Sequence, residues 1–204
     1  MNEMHERRLP QAFCWTRFGP EAGEGIEAIL ARKNLERAAN GGVFTWGIGN
    51  SVAPGLAALL EEVETAALLF SPIRSRPRAF DLDPPQILRW TSGKTLHGER
   101  YRLPESVRVT SGARSFDGRR HYALICRSDT PLSLGDFGSL DFGSLRNLAS
   151  GRPLGASQVT AVVRRDGPQS GTTYPVALRA SLTPPYFVAL DEYAVEAPQR
   201  LLAA

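Results

Sequence analysis

The chain has 204 residues, 42% of them hydrophobic, which is one domain of ordinary size with a real core. No run approaches the ~18 consecutive apolar residues of a membrane span, and the polar, charged stretch Met1 to Gln11 lacks the apolar centre of a secretory signal. The net charge of +3 hides an uneven distribution, because Ser71 to Arg127 carries twelve Lys+Arg against five Asp+Glu on an otherwise acidic chain. A basic middle points to one face that meets an anion, nucleic acid before membrane, with a solvated and functionless basic face as the alternative. Cys14 and Cys126 each sit in an apolar run without CxxC spacing and read as free buried thiols in a reducing, cytoplasmic setting.

Residues 1–11 read as a flexible tail, 12–197 as a single domain and 198–204 as a second tail. Ala12 to Phe18 is rich in aromatic and β-favouring types and predicts a first strand, ended by Gly19-Pro20. Glu24 to Ala39 predicts a helix: Ile26, Ile29 and Leu30 repeat at helical spacing, and Asn40-Gly41-Gly42 stops it. Its Arg32, Lys33, Glu36 and Arg37 read as a solvated face. Val43 to Trp46 predicts a strand, followed by a helix from Ser51 to about Glu64, with Ser51 as its cap and Pro54 tolerated in its first turn. Ala66 to Ser71 is nearly all apolar and predicts a strand buried on both faces.

The connector Pro72 to Pro85 carries Arg74, Arg76 and Arg78 at alternate positions, which puts them on one side if it is extended and suits phosphate contacts. Strands are predicted at Ile87 to Thr91, Ser106 to Thr110 and His121 to Arg127. Arg89 and Arg108 then join the basic face, Arg108 by alternating with Val107 and Val109. Lys94 to Arg102 and Arg114 to Arg120 read as loops. Asp136-Phe137-Gly138-Ser139-Leu140 is repeated directly as Asp141-Phe142-Gly143-Ser144-Leu145, and reads as a local duplication in a partly ordered loop. Further strands are expected at Ser157 to Arg164, Tyr174 to Arg179 and Tyr186 to Leu190. Together these make an α+β domain with a strongly curved mixed sheet or small barrel and two or three helices.

The stretch Gly41 to Ser51 is the leading candidate for a ligand site. A strand that stops at Gly47-Ile48-Gly49-Asn50 and opens a helix aims backbone N–H groups at one point, where an anion or a polar base edge can sit. Trp46 supplies a flat wall beside it, or else is a core residue next to a turn. Catalytic patterns are missing. His5, His97 and His121 lack zinc-ligand spacing, and no nucleophile elbow or phosphate loop is present. Gly47 and Gly49 lack the third glycine of a dinucleotide fingerprint, and Asp81 and Asp83 read as a turn before Pro84-Pro85. No metal and no cofactor are expected. What remains is Trp15, Trp46 and Trp90, each on or beside a strand, with an arginine-rich middle. Aromatic faces with interleaved arginines hold a splayed base while clamping its phosphates.

Trp46, Gly49-Asn50, the short helix with Leu56 and Ala57, and Leu68-Leu69-Phe70-Ser71 resemble the central stretch of YTH domains. The related EVE domains share the same succession of strand, helix and turn, and both families have the PUA-like fold and read modified bases. The resemblance covers about Phe13 to Asp81, and YTH domains place more residues between tryptophan and Gly-Asn than Gly47 and Ile48. The opening Phe13-Cys14-Trp15-Thr16 and the helix Ala31 to Arg37 also resemble an uncharacterised bacterial family. The resemblance implies a base pocket with Trp46 as cage tryptophan and Trp90 as its second wall. It also implies base-edge contacts from Asn50 and Ser51, and backbone contacts from Arg74, Arg76 and Arg78. The expected function is non-catalytic binding of DNA or RNA carrying a modified base, any effector being a separate chain. The alternatives are a small nucleic-acid-processing enzyme with Lys94 or His97 in its pocket, and a protein-interaction module.

Overall fold

The computed structural model describes residues 9–20, 25–73, 86–110 and 120–196, so the predicted segments at 1–8, 74–85, 111–119 and 197–204, and the predicted helix start at Glu24 within 21–24, lie outside the described residues. The chain begins with β1 (Ala12–Phe18), α1 (Ile26–Ala39), β2 (Val43–Ile48), α2 (Ala53–Glu62) and β3 (Ala67–Pro72). It continues with β4 (Gln86–Thr95), β5 (Arg100–Thr110), β6 (His121–Arg127), β7 (Ser139–Asp141) and β8 (Leu145–Asn147). It ends with β9 (Thr160–Arg165), β10 (Thr173–Pro175) and β11 (Leu178–Glu196). Among the described residues nine strands form one mixed sheet, while β7 and β10 pair separately. The protein is therefore α+β, with a large mixed sheet and two α-helices among the described residues.

The sheet is mixed because β1 and β3 run parallel, Cys14 opposite Leu68, while its other ladders are antiparallel. β1 and β3 are buried on both faces, which is why they read as nearly unbroken apolar runs. Period-two alternation sorts their side chains. Cys14, Phe18, Leu68 and Phe70 join Ile29, Leu30, Leu56 and Leu59 of the helices in the main core. Phe13, Trp15, Ala67 and Leu69 face the other way into a second cluster. Helix α2 lies so close to β9 that a Cβ at Gly55 would come within 2.9 Å of Val162 Cβ, so only glycine fits there without a shift.

The second cluster explains the duplication. Its cover is built from Phe137 and Leu140 of the first copy, and Phe142 and Leu145 of the second. The repeat is ordered as β7, a 3-10 turn over Phe142–Ser144, and β8. Asp141 fixes it by accepting from Ser144 N at 3.1 Å, Ser170 N at 2.9 Å and Gly171 N at 2.7 Å. Those backbone donors, Ser170 first, hold the Asp141 carboxyl below its usual range. The loop expected at 136–145 is thus a lid over Trp15.

Strand β11 is the spine. One edge pairs with β6 along Ser181 to Leu190, and the other pairs first with β3 and then with β4. The separate strands expected at 174–179 and 186–190 belong partly to this single strand. The Pro184-Pro185 pair falls in the register shift between Leu182 and Phe187, where no ladder donor is required. The loop expected at Lys94 to Arg102 is instead a hairpin. Pairing runs through Lys94 opposite Arg100, and Thr95 N donates to Glu99 O at 2.9 Å. Tyr101 and Leu103 of β5 then pack with Val43, Trp90, Ile125, Val188 and Leu190 in a third cluster. Strands β2, β6, β11, β4 and β5 curl round it, but among the described residues no ladder closes β5 onto β2.

Two expectations near the helices change. Lys33 and Glu36 are buried, not solvated: Lys33 Nζ reaches Glu36 Oε2 at 2.7 Å, and Glu36 Oε1 accepts from Thr45 N at 2.8 Å and Thr45 Oγ1 at 2.7 Å. The pair clasps α1 to β2. Helix α2 starts at Ala53 with Val52, not Ser51, in the cap position, although Ser51 Oγ accepts from Ala53 N at 3.3 Å. The end of the expected N-terminal tail is held down. Leu9 packs on the second cluster, and Arg165 N donates to Gln11 O at 2.9 Å. No helix among the described residues is long and apolar enough to cross a membrane.

Candidate functional site

The structure does not bring the three tryptophans together. Trp15 is fully buried in the second cluster, where its Nε1 donates to Ser71 Oγ at 3.0 Å. Trp46 is 9% exposed in the main core, edge-on to Phe70 at 4.7 Å and Phe18 at 6.0 Å between ring centroids. Trp90 is buried in the third cluster, 5.6 Å from the His121 ring. The physical reason is the double-sided burial of the sheet. Apolar surface is in demand on both faces, and large aromatics on central strands satisfy it.

The glycine turn is at the surface. Gly47, Gly49, Asn50 and Ser51 are exposed, and Asn50 Nδ2 points to Thr160 O at 3.5 Å. Of the predicted phosphate contacts, Arg89 lies half-buried in β4, and Arg108 belongs to β5 with its side chain outside the described residues. Arg74, Arg76 and Arg78 lie outside them altogether, as do Asp81 and Asp83.

What the sheet does assemble is a cleft of about 400 Å³ lined by Lys94, Arg120, His121, Tyr122, Ala189, Leu190 and Asp191. The register builds it. Ala189 of β11 stands opposite Lys94 of β4 on one side and Tyr122 of β6 on the other. Residues directly opposite share a face, so the small Ala189 forms a floor between a cation and a ring. Arg120 and Asp191 are each two residues along from Tyr122 and Ala189, which returns them to the same face. His121 and Leu190 form the next row and point to the third cluster and Trp90. Tyr122 also stacks on Phe187, ring centroids 5.4 Å apart at 27°, so its plane is fixed.

Strand β2 ends beside this cleft, with Ile48 opposite Tyr122. The predicted glycine turn and the observed cleft are therefore neighbours on the face that holds Trp46. Lys94, expected only for an enzymatic pocket, lines the cleft, whereas His97 sits exposed in the β4–β5 turn outside its lining. Arg120, Tyr122, Ala189 and Asp191 were not read from the sequence as site residues. Arg119-Arg120-His121-Tyr122 at a strand start was the available signal; which residues would face it across β11 depends on register.

The cleft is electrostatically mixed. Among the described residues neither Lys94 nor Arg120 is neutralised by an ion pair. Behind Asp191, the buried Ser92 hydroxyl lies 3.0 Å from Asp191 Oδ1 and 2.7 Å from Glu192 Oε2, and Arg100 Nη2 binds both Glu192 oxygens at 2.8 and 2.7 Å. The Ser92 bond, and then the Arg100 charge, hold the Glu192 carboxyl below its usual range. No three His, Cys, Asp or Glu side chains among the described residues group as metal ligands. Chemically, the arrangement offers two cations to an anion, one ring to a planar group and one carboxylate to a donor.

No family model matches this chain, nor does any curated protein or solved structure.

Proposed function

We propose that this chain binds nucleic acid without catalysing a reaction on it, in a PUA-like fold, and that the cleft at Lys94, Arg120 and Tyr122 is the point of engagement. The observation that supports this reading is the pairing, in one open cleft, of two cations that form no ion pair among the described residues with a flat ring fixed beside a small floor. Phosphates meet Lys94 and Arg120 while a base lies against Tyr122, the combination used for single-stranded nucleic acid. The clustering of basic residues between Ser71 and Arg127 supports a longer electrostatic track leading into it. The PUA-like reading rests on the order of strand, helix, strand, helix and strand across β1 to β3, and the preference for a modified base on the resemblance to YTH and EVE domains.

The test is anisotropy titration of labelled single-stranded DNA and RNA at two salt concentrations, each with plain and methylated bases. Salt-dependent binding is expected, and Lys94→Ala with Arg120→Ala should each reduce the dependence of log K on log salt by about 0.7 per lost contact. Binding that ignores both substitutions removes the cleft from the interface. Equal affinity for plain and methylated strands removes the modified-base preference alone.

A further inference from the structure

The cleft carries one group that phosphate binding does not need. A carboxylate in a cleft with two cations and a ring opposes an anionic ligand, yet Asp191 lines this one. In the β11–β4 ladder Leu190 pairs with Gly93, Glu192 with Ser92 and Tyr193 with Trp90, so pairing is irregular across Asp191 and Glu192 and returns to its register at Tyr193. The irregularity brings the Asp191 and Glu192 carboxylates together at Ser92 without ending the strand. Ser92, 3% exposed on the facing strand, gives its one proton to the nearer Glu192 Oε2 at 2.7 Å and lies 3.0 Å from Asp191 Oδ1 without neutralising it. The Arg100 guanidinium occupies Glu192, so the neighbouring carboxylate does not compete for the cleft. Among the described residues no donor reaches Asp191 Oδ2.

Resting on the nucleic-acid reading above, we infer that Asp191 reads the base edge and selects bases that present an amino group over uracil and thymine. A carboxylate is acceptor-only. The exocyclic amino groups of cytosine, adenine and guanine donate to it, as acidic side chains do for cytosine N4. Uracil and thymine present carbonyl oxygens on both sides of their single N–H, and those dipoles repel the carboxylate. Lys94 and Arg120 supply affinity that is indifferent to sequence, and Asp191 supplies the choice.

The probes are labelled dC10 and dU10, whose bases differ in the amino or carbonyl group at C4 and the adjoining ring nitrogen. Each is titrated against the wild-type chain, Asp191→Asn and Asp191→Ala. A single donor–carboxylate contact predicts tighter binding of dC10 by about five- to tenfold. In Asp191→Asn, whose amide donates as well as accepts, the two strands should bind alike. Asp191→Ala should also lose the preference while keeping or slightly raising overall affinity, because a negative charge leaves a phosphate-binding cleft. Equal affinities in the wild-type chain, or a preference that survives both substitutions, overturn the assignment of Asp191 and leave the cleft reading intact. Absence of salt-dependent binding to either strand overturns the nucleic-acid reading, and the assignment with it.

Discussion

Replacing Glu36 by alanine strands a cation inside the protein. The Lys33 and Glu36 side chains are 7% and 4% exposed, and Glu36 is the counter-charge that makes a buried ammonium tolerable at that depth. Burial lowers the Lys33 pKa from its ordinary 10.5, with Glu36 opposing that shift by charge and hydrogen bond. Breaking a buried pair from one side costs about 3–5 kcal/mol. That total includes the Thr45 backbone N–H, left without its 2.8 Å acceptor, at about 1–2 kcal/mol. About 2–3 kcal/mol therefore belongs to the stranded charge and should vanish when Lys33 is also removed. The assay is a double-mutant cycle of Glu36→Ala, Lys33→Met and the pair, by urea denaturation followed through tryptophan fluorescence. Glu36→Ala should cost about 3–5 kcal/mol in the Lys33 background and about 1–2 kcal/mol in the Met background. Equal costs in the two backgrounds would refute the reasoning, because they would mean that the ammonium finds water or sheds its proton cheaply.

Alkaline pH should act on the two buried thiols. Burial raises the Cys14 pKa from 9.0 to about 12 and pushes Cys126 well above 9.0, so between these limits the unfolded chain loses protons that the folded chain keeps. Stability is constant in this respect below pH 9 and then falls by about 1.4 kcal/mol per pH unit for each thiol. Urea midpoints at pH 8, 9 and 10 should decline less steeply in Cys14→Ala by that single-thiol slope, and parallel declines would argue against the shift. Gly93→Ala places a Cβ against Val188 Cγ1 and the Ala189 carbonyl beneath the cleft floor. It should lower stability by about 1–3 kcal/mol and weaken binding of dC10 and dU10 together, whereas unchanged affinity in the folded variant would separate that floor from the ligand.

Much of the chain's local structure was legible. The aromatic and β-branched run at Ala12 to Phe18, the helical spacing of Ile26, Ile29 and Leu30, and the strand His121 to Arg127 all match their observed elements closely. These are short-range properties, set by which residues favour a pleat and which repeat on a helix face. The unbroken apolar run at Leu68 to Phe70 even announced burial on both faces.

Side-chain destinations were another matter. Lys33 and Glu36 look like any exposed helical pair until β2 packs over them and Thr45 supplies the remaining hydrogen bonds. The duplicated Phe and Leu residues look like loop residues until Trp15 needs a cover. Trp15, Trp46 and Trp90 share a residue type and lie in three separate clusters. The cleft depends on pairing register between strands nearly 70 residues apart, Tyr122 opposite Ala189 and Ala189 opposite Lys94. Sequence by itself determined the elements with a clear local period, β1, α1, β3 and β6 among them, and the basic character of the middle third. Only the tertiary structure decided which face each residue serves, because a single-residue change of register in a β-ladder exchanges every inward side chain for an outward one.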